Sequence, residues 1–312
     1  MQGTVWAGML CTSTMNKLGQ LVYDNPHFAY KYRGTVVVPP LQMIDDVLTV
    51  SKCGSTARAM NSLVNTFMLS KKLKLNELKC AKIHVGRKSN MCPQLFVQDQ
   101  EMRHSEQEKY LGDIIHQNGK QHATVVDRIL KGYGILAYIT AILTDIPLGR
   151  RRVEIGLNLR QALWINGILH NSEVWQDLTE YDKKELNKID HYILKLIIGS
   201  HSKAPTEQLY LETSTLSVTQ TISVRRMIYL QTVLQRPEGE LIRNIYEAMK
   251  SEPLPGDWYN LVQKDFLEVT LNISKNKIRC MSPLDSWRRG NSLTRRERLP
   301  GLQFRTLEDI VI

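Results

Sequence analysis

Leu41-Gln42-Met43-Ile44-Asp45-Asp46-Val47-Leu48-Thr49-Val50 is the stretch whose reading decides the rest of this chain. An apolar run climbs to two adjacent carboxylates, and a second apolar run rich in β-branched residues leaves them, which spells strand, tight turn, strand. Aspartate suits a turn because its carboxylate accepts hydrogen bonds from nearby backbone amides, so an ordinary surface hairpin is one reading. The other is that two hard oxygen donors are held at a rigid tip to bind Mg²⁺ in a phosphoryl-transfer site. The flanking sequence has to decide between them.

Upstream, Thr35-Val36-Val37-Val38 reads as a strand that Pro39-Pro40 stops before the acidic hairpin begins. A glycine-bearing loop from Gln2 to Gly8 precedes a short helix expected over Thr12 to Leu18, with Gly19 near its end. Downstream, Gly54-Ser55 opens a helix whose Met60, Leu63, Val64, Phe67 and Met68 share one face, and Lys71, Lys72 and Lys74 close it at the negative end of its dipole. Asn76-Glu77-Leu78-Lys79-Cys80 is a turn, Ala81 to Val85 alternates as a strand does, Lys109 to Ile115 is a further strand, and Asn118-Gly119 is a hairpin signal.

From His122 the pattern turns helical. Val125, Val126, Ile129, Leu130 and Tyr133 form one apolar face; Leu159, Leu163, Trp164, Gly167 and Ile168 form another; Leu186, Ile189, Ile193, Leu194 and Ile197 form a third. Ser217-x-x-Gln220 has capping-box form and opens a helix that carries Arg225-Arg226. Further helices around 239–250 and 258–271 follow, and a basic tail runs from Ser282. The expected class is α+β: a mixed region over residues 1–120, a helical region over 121–200, and a helical extension with a basic tail over 201–312.

The chain has 312 residues, 42% of them hydrophobic, and a formal net charge of +10, so it is long enough for more than one core and suited to a polyanionic partner such as nucleic acid. No run approaches the roughly 18 apolar residues of a membrane span, and Met1 to Trp6 lack the basic and apolar blocks of a secretory signal. The expectation is an intracellular protein of nucleus or cytoplasm, not secreted and with no membrane partner. Its five cysteines are scattered without a C-x-x-C pair, which speaks against a disulfide framework or a structural zinc site.

Four local motifs occur in a telling order: Gln2-Gly3, Met43-Ile44-Asp45-Asp46, Asn76-x-x-Lys79, and Tyr110-Leu111-Gly112. With the later run Ile168-Leu169-His170-Asn171-Ser172-Glu173-Val174-Trp175, this order resembles the C-terminal half of the reverse transcriptases of non-LTR (LINE-like) retrotransposons. The resemblance implies a partial polymerase palm followed by a helical thumb. It implies that Asp45 and Asp46 bind Mg²⁺, that Lys79 lies beside the departing pyrophosphate, that Gln2 and Gly3 lie near template and incoming nucleotide, and that Tyr110, Leu111 and Gly112 hold the primer end. The implied partners are an RNA template, a DNA primer and deoxynucleoside triphosphates.

Two departures qualify that expectation. Met43 stands where the family carries an aromatic residue, and a thioether can fill similar space. The family's third metal-binding aspartate belongs on a strand upstream of Gln2-Gly3, which residues 1–312 do not contain, so the chain alone is expected to be inactive or nearly so. The alternative reading is a non-catalytic basic remnant that grips nucleic acid through phosphates.

Overall fold

A computed structural model describes residues 5–86, 93–176, 178–200 and 203–276. The class is α+β. The chain falls into two compact units, one of residues 1–121 with 235–254 and the other of 122–234 with 255–312.

The first unit begins with α1 (Val5–Asp24), which is far longer than the helix expected over 12–18. Gly19 lies in its interior instead of ending it. A mid-helix glycine costs about 1 kcal/mol relative to alanine, and the buried Met15, Leu18 and Val22 on one stripe offset that cost. A hairpin follows, β1 (Tyr30–Tyr32) against β2 (Val36–Val38), and Pro39-Pro40 ends its ladder. Next come β3 (Leu41–Met43) and β4 (Asp46–Leu48), paired antiparallel, and then α2 (Gly54–Ser70). On α2 the residues Met60, Val64, Phe67 and Met68 are buried, as their helical spacing requires. Val64, Phe67 and Met68 meet Met15 and Leu18 in one small core, with Val47 of β4 packed against it. The acidic hairpin is thus seated on the helix pair by one of its own side chains.

The remaining strands of this unit are short: β5 (Ala81–Lys82), β6 (Phe96–Val97), β7 (Gln100–Glu101), β8 (Arg103–His104), β9 (Gln107–Tyr110) and β10 (Asp113–His116). Among the described residues the strands form five separate two-stranded ladders, and the β5–β8 ladder is parallel. The strand expected over 81–85 stops at Lys82. The single strand expected over 109–115 is instead a hairpin: Tyr110 faces Asp113, while Leu111 (φ 48°) and Gly112 (φ 94°) make the two-residue turn. Two consecutive positive φ angles are the type I′ pattern, whose twist matches that of the strands it joins. Asn118-Gly119 has no strand after it and turns β10 into the next helix, with the Gly119 amide donating to the His116 carbonyl (2.9 Å).

Residues 235–254 contribute α9 (Leu241–Ser251) to this first unit. Arg33, in the β1–β2 turn, donates to the carbonyls of Ala248 (2.8 Å) and Glu252 at the C-terminal end of that helix, where exposed carbonyls favour a cation.

The second unit is helical throughout its described residues: α3 (His122–Thr144), α4 (Arg150–Leu159), α5 (Asn166–Ile168), α6 (Glu180–Ile198), α7 (Thr206–Thr213), α8 (Val218–Leu234) and α10 (Trp258–Asn276). Its core holds Val125, Ile129, Leu143, Trp164, Ile168, Trp175 and the whole α6 stripe Leu186, Ile189, Ile193, Leu194 and Ile197. The buried face of α3 differs from the expected one. Thr124, Arg128 and Gly132 lie inside with Val125 and Ile129, while Leu130 is 67% exposed and Tyr133 is turned outward. Gly132 decides this, because a methyl group there would collide with the Trp164 ring; α3 therefore turns its glycine to that ring.

The run from Leu163 to Trp175 is not one helix. Arg160–Ile165 winds as a π-helix between α4 and α5, Asn171 takes a left-handed conformation (φ 61°), and Ser172–Val174 is a 3₁₀ turn that leads to a fully buried Trp175. With Trp164 also buried, the tryptophans of this segment are core and not a stacking surface.

Candidate functional site

The tip of the β3–β4 hairpin carries both aspartates. Met43 pairs with Asp46, so Ile44 and Asp45 form a two-residue turn, and of the two only Ile44 has a positive φ, at 58°. That is the φ pattern of a type II′ turn, whose first position normally belongs to glycine. A β-branched residue in this region is strained, and such strain persists only where the surroundings impose it. Met43, Ile44, Asp45 and Asp46 are all exposed.

Two side chains from distant segments grip the hairpin, one at its tip and one at its base. The Cys11 thiol on α1 donates to the Ile44 carbonyl at 3.2 Å. The Tyr110 hydroxyl, at the end of β9, donates to the Leu41 carbonyl at 3.3 Å. Burial first, and then the negative charge of Asp46, push the Tyr110 phenol above its usual range, so it remains a protonated donor at neutral pH. The type I′ turn at Leu111-Gly112 sets the position of Tyr110.

The structure therefore gathers Asp45, Asp46 and Tyr110, with Leu111 and Gly112 in the turn that follows Tyr110. Lys79 is placed differently. It closes a 3₁₀ turn (Glu77–Lys79) capped by the Asn76 side chain, which accepts from the Leu78 amide at 3.2 Å, and its side chain is exposed. No ion pair or hydrogen bond ties its ammonium to the hairpin among the described residues. Gln2 and Gly3 lie outside the described residues. Cys11 is the member that sequence reading missed, because a lone cysteine at this spacing carries no signal and its role exists only across 33 positions of chain.

Two adjacent carboxylates on a fixed turn suit Mg²⁺, which commonly takes one or two protein carboxylates and fills its octahedron with water and substrate phosphate. No group of three or more His, Cys, Asp or Glu side chains able to hold a metal occurs among the described residues. The hairpin by itself therefore offers two carboxylates and no third ligand of these types among the described residues.

Elsewhere in this unit Cys53 stands at the N-terminus of α2, its Sγ 3.1 Å from Ser55 Oγ and 3.4 Å from Thr56 Oγ1. These hydroxyls, Ser55 first, lower the exposed thiol to about 6, which makes it a thiolate at neutral pH.

In the second unit several arginines look inward. Arg160 Nε and Nη2 meet the two carboxylate oxygens of Asp190 at 2.7 and 2.8 Å, and Tyr210 donates to the same carboxylate at 3.0 Å, all of it buried or nearly so. Arg226 pairs with Asp265, and Arg225 donates to the Leu169 and Ile165 carbonyls. Arg152 caps carbonyls at helix ends, reaching Leu143 (2.5 Å), Ile146 (2.7 Å) and Leu196 (2.8 Å). Arg225-Arg226 is consequently a packing element and not part of a phosphate-gripping face.

Among the described residues no helix is long and apolar enough to cross a membrane. No family model matches this chain, and no curated protein or solved structure matches it either.

Proposed function

We propose that the Asp45–Asp46 hairpin is the cation-binding element of a nucleotidyl-transfer site, and that the chain is part of an RNA-directed DNA polymerase of a retroelement. The observation that carries this reading is the strained turn at Ile44, gripped at its carbonyl by Cys11 on a hairpin whose base Tyr110 holds, with both aspartates exposed. A plain surface hairpin has no use for a β-branched residue at positive φ, since Gly or Asn makes the same turn without strain. The ordered company of Tyr110-Leu111-Gly112 and Asn76-x-x-Lys79 supports the same reading, with Tyr110 bound to the hairpin itself.

In this reading Asp45 and Asp46 supply oxygens to Mg²⁺, and the ion, when bound, activates the attacking 3′ hydroxyl and neutralises charge on the phosphates. The hairpin's own work is to fix those oxygens at the tip. Lys79 would act as a mobile point charge toward pyrophosphate, which requires its exposed side chain to swing to the substrate. A partial palm with a helical thumb is the corresponding architecture.

The test is titration of the full chain with Mn²⁺, followed by its paramagnetic resonance signal, for wild type and Asp45→Asn/Asp46→Asn. The expected outcome is binding that the double variant weakens by at least about tenfold. Equal Mn²⁺ affinity in the two proteins sinks the reading. The net charge of +10 favours one other reading, a non-catalytic nucleic-acid-binding remnant, which requires steeply salt-dependent RNA or DNA binding that survives loss of both aspartates.

A further inference from the structure

We infer that Cys11 and Tyr110 are positioning residues for Asp45 and Asp46, acting through the Ile44 and Leu41 carbonyls they grip. The inference rests on the reading of those aspartates as cation ligands. The β3–β4 ladder is only three residue pairs long, and a two-stranded hairpin of that size is marginal by itself. Its turn is strained at Ile44, so an unsupported hairpin would relax by rotating the peptide next to Asp45. Two donors oppose that rotation at separate points: Cys11 Sγ at the Ile44 carbonyl beside the tip, and Tyr110 Oη at the Leu41 carbonyl at the base.

Each donor is itself anchored. Cys11 lies one turn from the buried Met15 and two turns from the buried Leu18 on α1, and it packs against their core. Tyr110 is fixed by the I′ turn and the β9–β10 pairing. Val47 anchors the returning strand in the same core that holds Cys11. Mg²⁺ demands near-ideal octahedral oxygens at short distances, so a small rotation of the tip lowers affinity even when both carboxylates remain present.

The experiment uses the full chain as wild type, Cys11→Ala, Cys11→Ser, Tyr110→Phe and the double variant Cys11→Ala/Tyr110→Phe. Amide hydrogen exchange at residues 43–47 is read beside that of residues 60–68 on α2, and Mn²⁺ affinity is measured in parallel. We expect exchange at 43–47 to quicken about threefold in Cys11→Ala and about fivefold in Tyr110→Phe, with α2 unaltered. Cys11→Ser, which keeps a donor, should restore the wild-type rate, and Mn²⁺ affinity in the double variant should fall about tenfold. Unaltered exchange at 43–47 overturns the inference. So does a serine variant that behaves like the alanine one, or faster exchange with undiminished Mn²⁺ affinity. Absence of Mn²⁺ binding by the wild type sinks the cation reading, and the positioning role with it; that failure is recognisable because exchange at 43–47 still responds to the substitutions.

Discussion

The two units of this protein solve opposite problems. Among its described residues the helical unit draws seventeen buried apolar residues into one core and turns several of its arginines inward onto carboxylates and helix-end carbonyls. The mixed unit divides its buried apolar residues between small clusters, such as Met15, Leu18, Val64, Phe67 and Met68 in one and Val22, Ala29 and Met60 in another, and leaves its strands as two-stranded ladders. A large, well-filled core tolerates buried charge because the surrounding packing fixes the geometry of each pair. In the mixed unit, among the described residues, no charged residue falls in the fully buried class, and the carboxylates of the hairpin tip are exposed. The polar chemistry of the helical unit is structural, and that of the mixed unit is available.

The largest expected effect tests the inward half of this comparison. Asp190→Ala strands the buried Arg160 guanidinium and should lower the free energy of unfolding by about 3–5 kcal/mol, measured by urea denaturation. A loss near zero would mean that the arginine reaches water and that the pair is no part of the core. Next, two glycines of α3 separate packing from propensity. Gly132→Ala drives a methyl into the Trp164 ring and should cost about 1–3 kcal/mol, while a methyl at Gly134 meets nothing, so Gly134→Ala should stabilise by about 0.5–1 kcal/mol. If the two substitutions shift the thermal midpoint in the same direction, the close approach of α3 to Trp164 is wrong. The smallest effect concerns the outward half and leaves stability aside. Alkylation of Cys53 by iodoacetamide, followed by peptide mass spectrometry, should rise through a midpoint of about pH 6, because the folded thiol is lowered. Cys80, pushed up by burial first and then by the negative charge of Glu77, should react only at more alkaline pH.

Much of the fold was legible where the signal is local and periodic. The α6 stripe Leu186, Ile189, Ile193, Leu194 and Ile197 is buried throughout, the α2 face is buried at Met60, Val64, Phe67 and Met68, and the Ser217–Gln220 box caps α8 with the Gln220 side chain accepting from the Ser217 amide at 3.0 Å. Readings that failed required knowledge of a partner. Asn118-Gly119 has the composition of a hairpin turn, but a hairpin needs a strand on each side, and the polar Lys120-Gln121 offers none; Leu111-Gly112 makes the turn because Tyr110 and Asp113 can pair across it. Leu130 belongs to the apolar stripe of α3 by period alone, yet the need to seat Gly132 on Trp164 rotates it into water.

The candidate site divides in the same way. Sequence by itself determined that a tight turn bearing the aspartates lies between two strands, and that an amphipathic helix follows, because strand alternation, turn chemistry and helical period are properties of neighbouring residues; the turn itself falls on Ile44-Asp45, with Asp46 opening β4. Tertiary structure alone decided that Cys11 grips the Ile44 carbonyl, that Tyr110 grips the Leu41 carbonyl, that Lys79 sits on an exposed turn, and that Arg152, Arg160 and Arg226 of the helical unit face inward. Those facts join residues tens of positions apart, and a hydrogen bond across such a distance leaves no period in the sequence. It is recorded only in the packing that brings its two ends within about 3 Å.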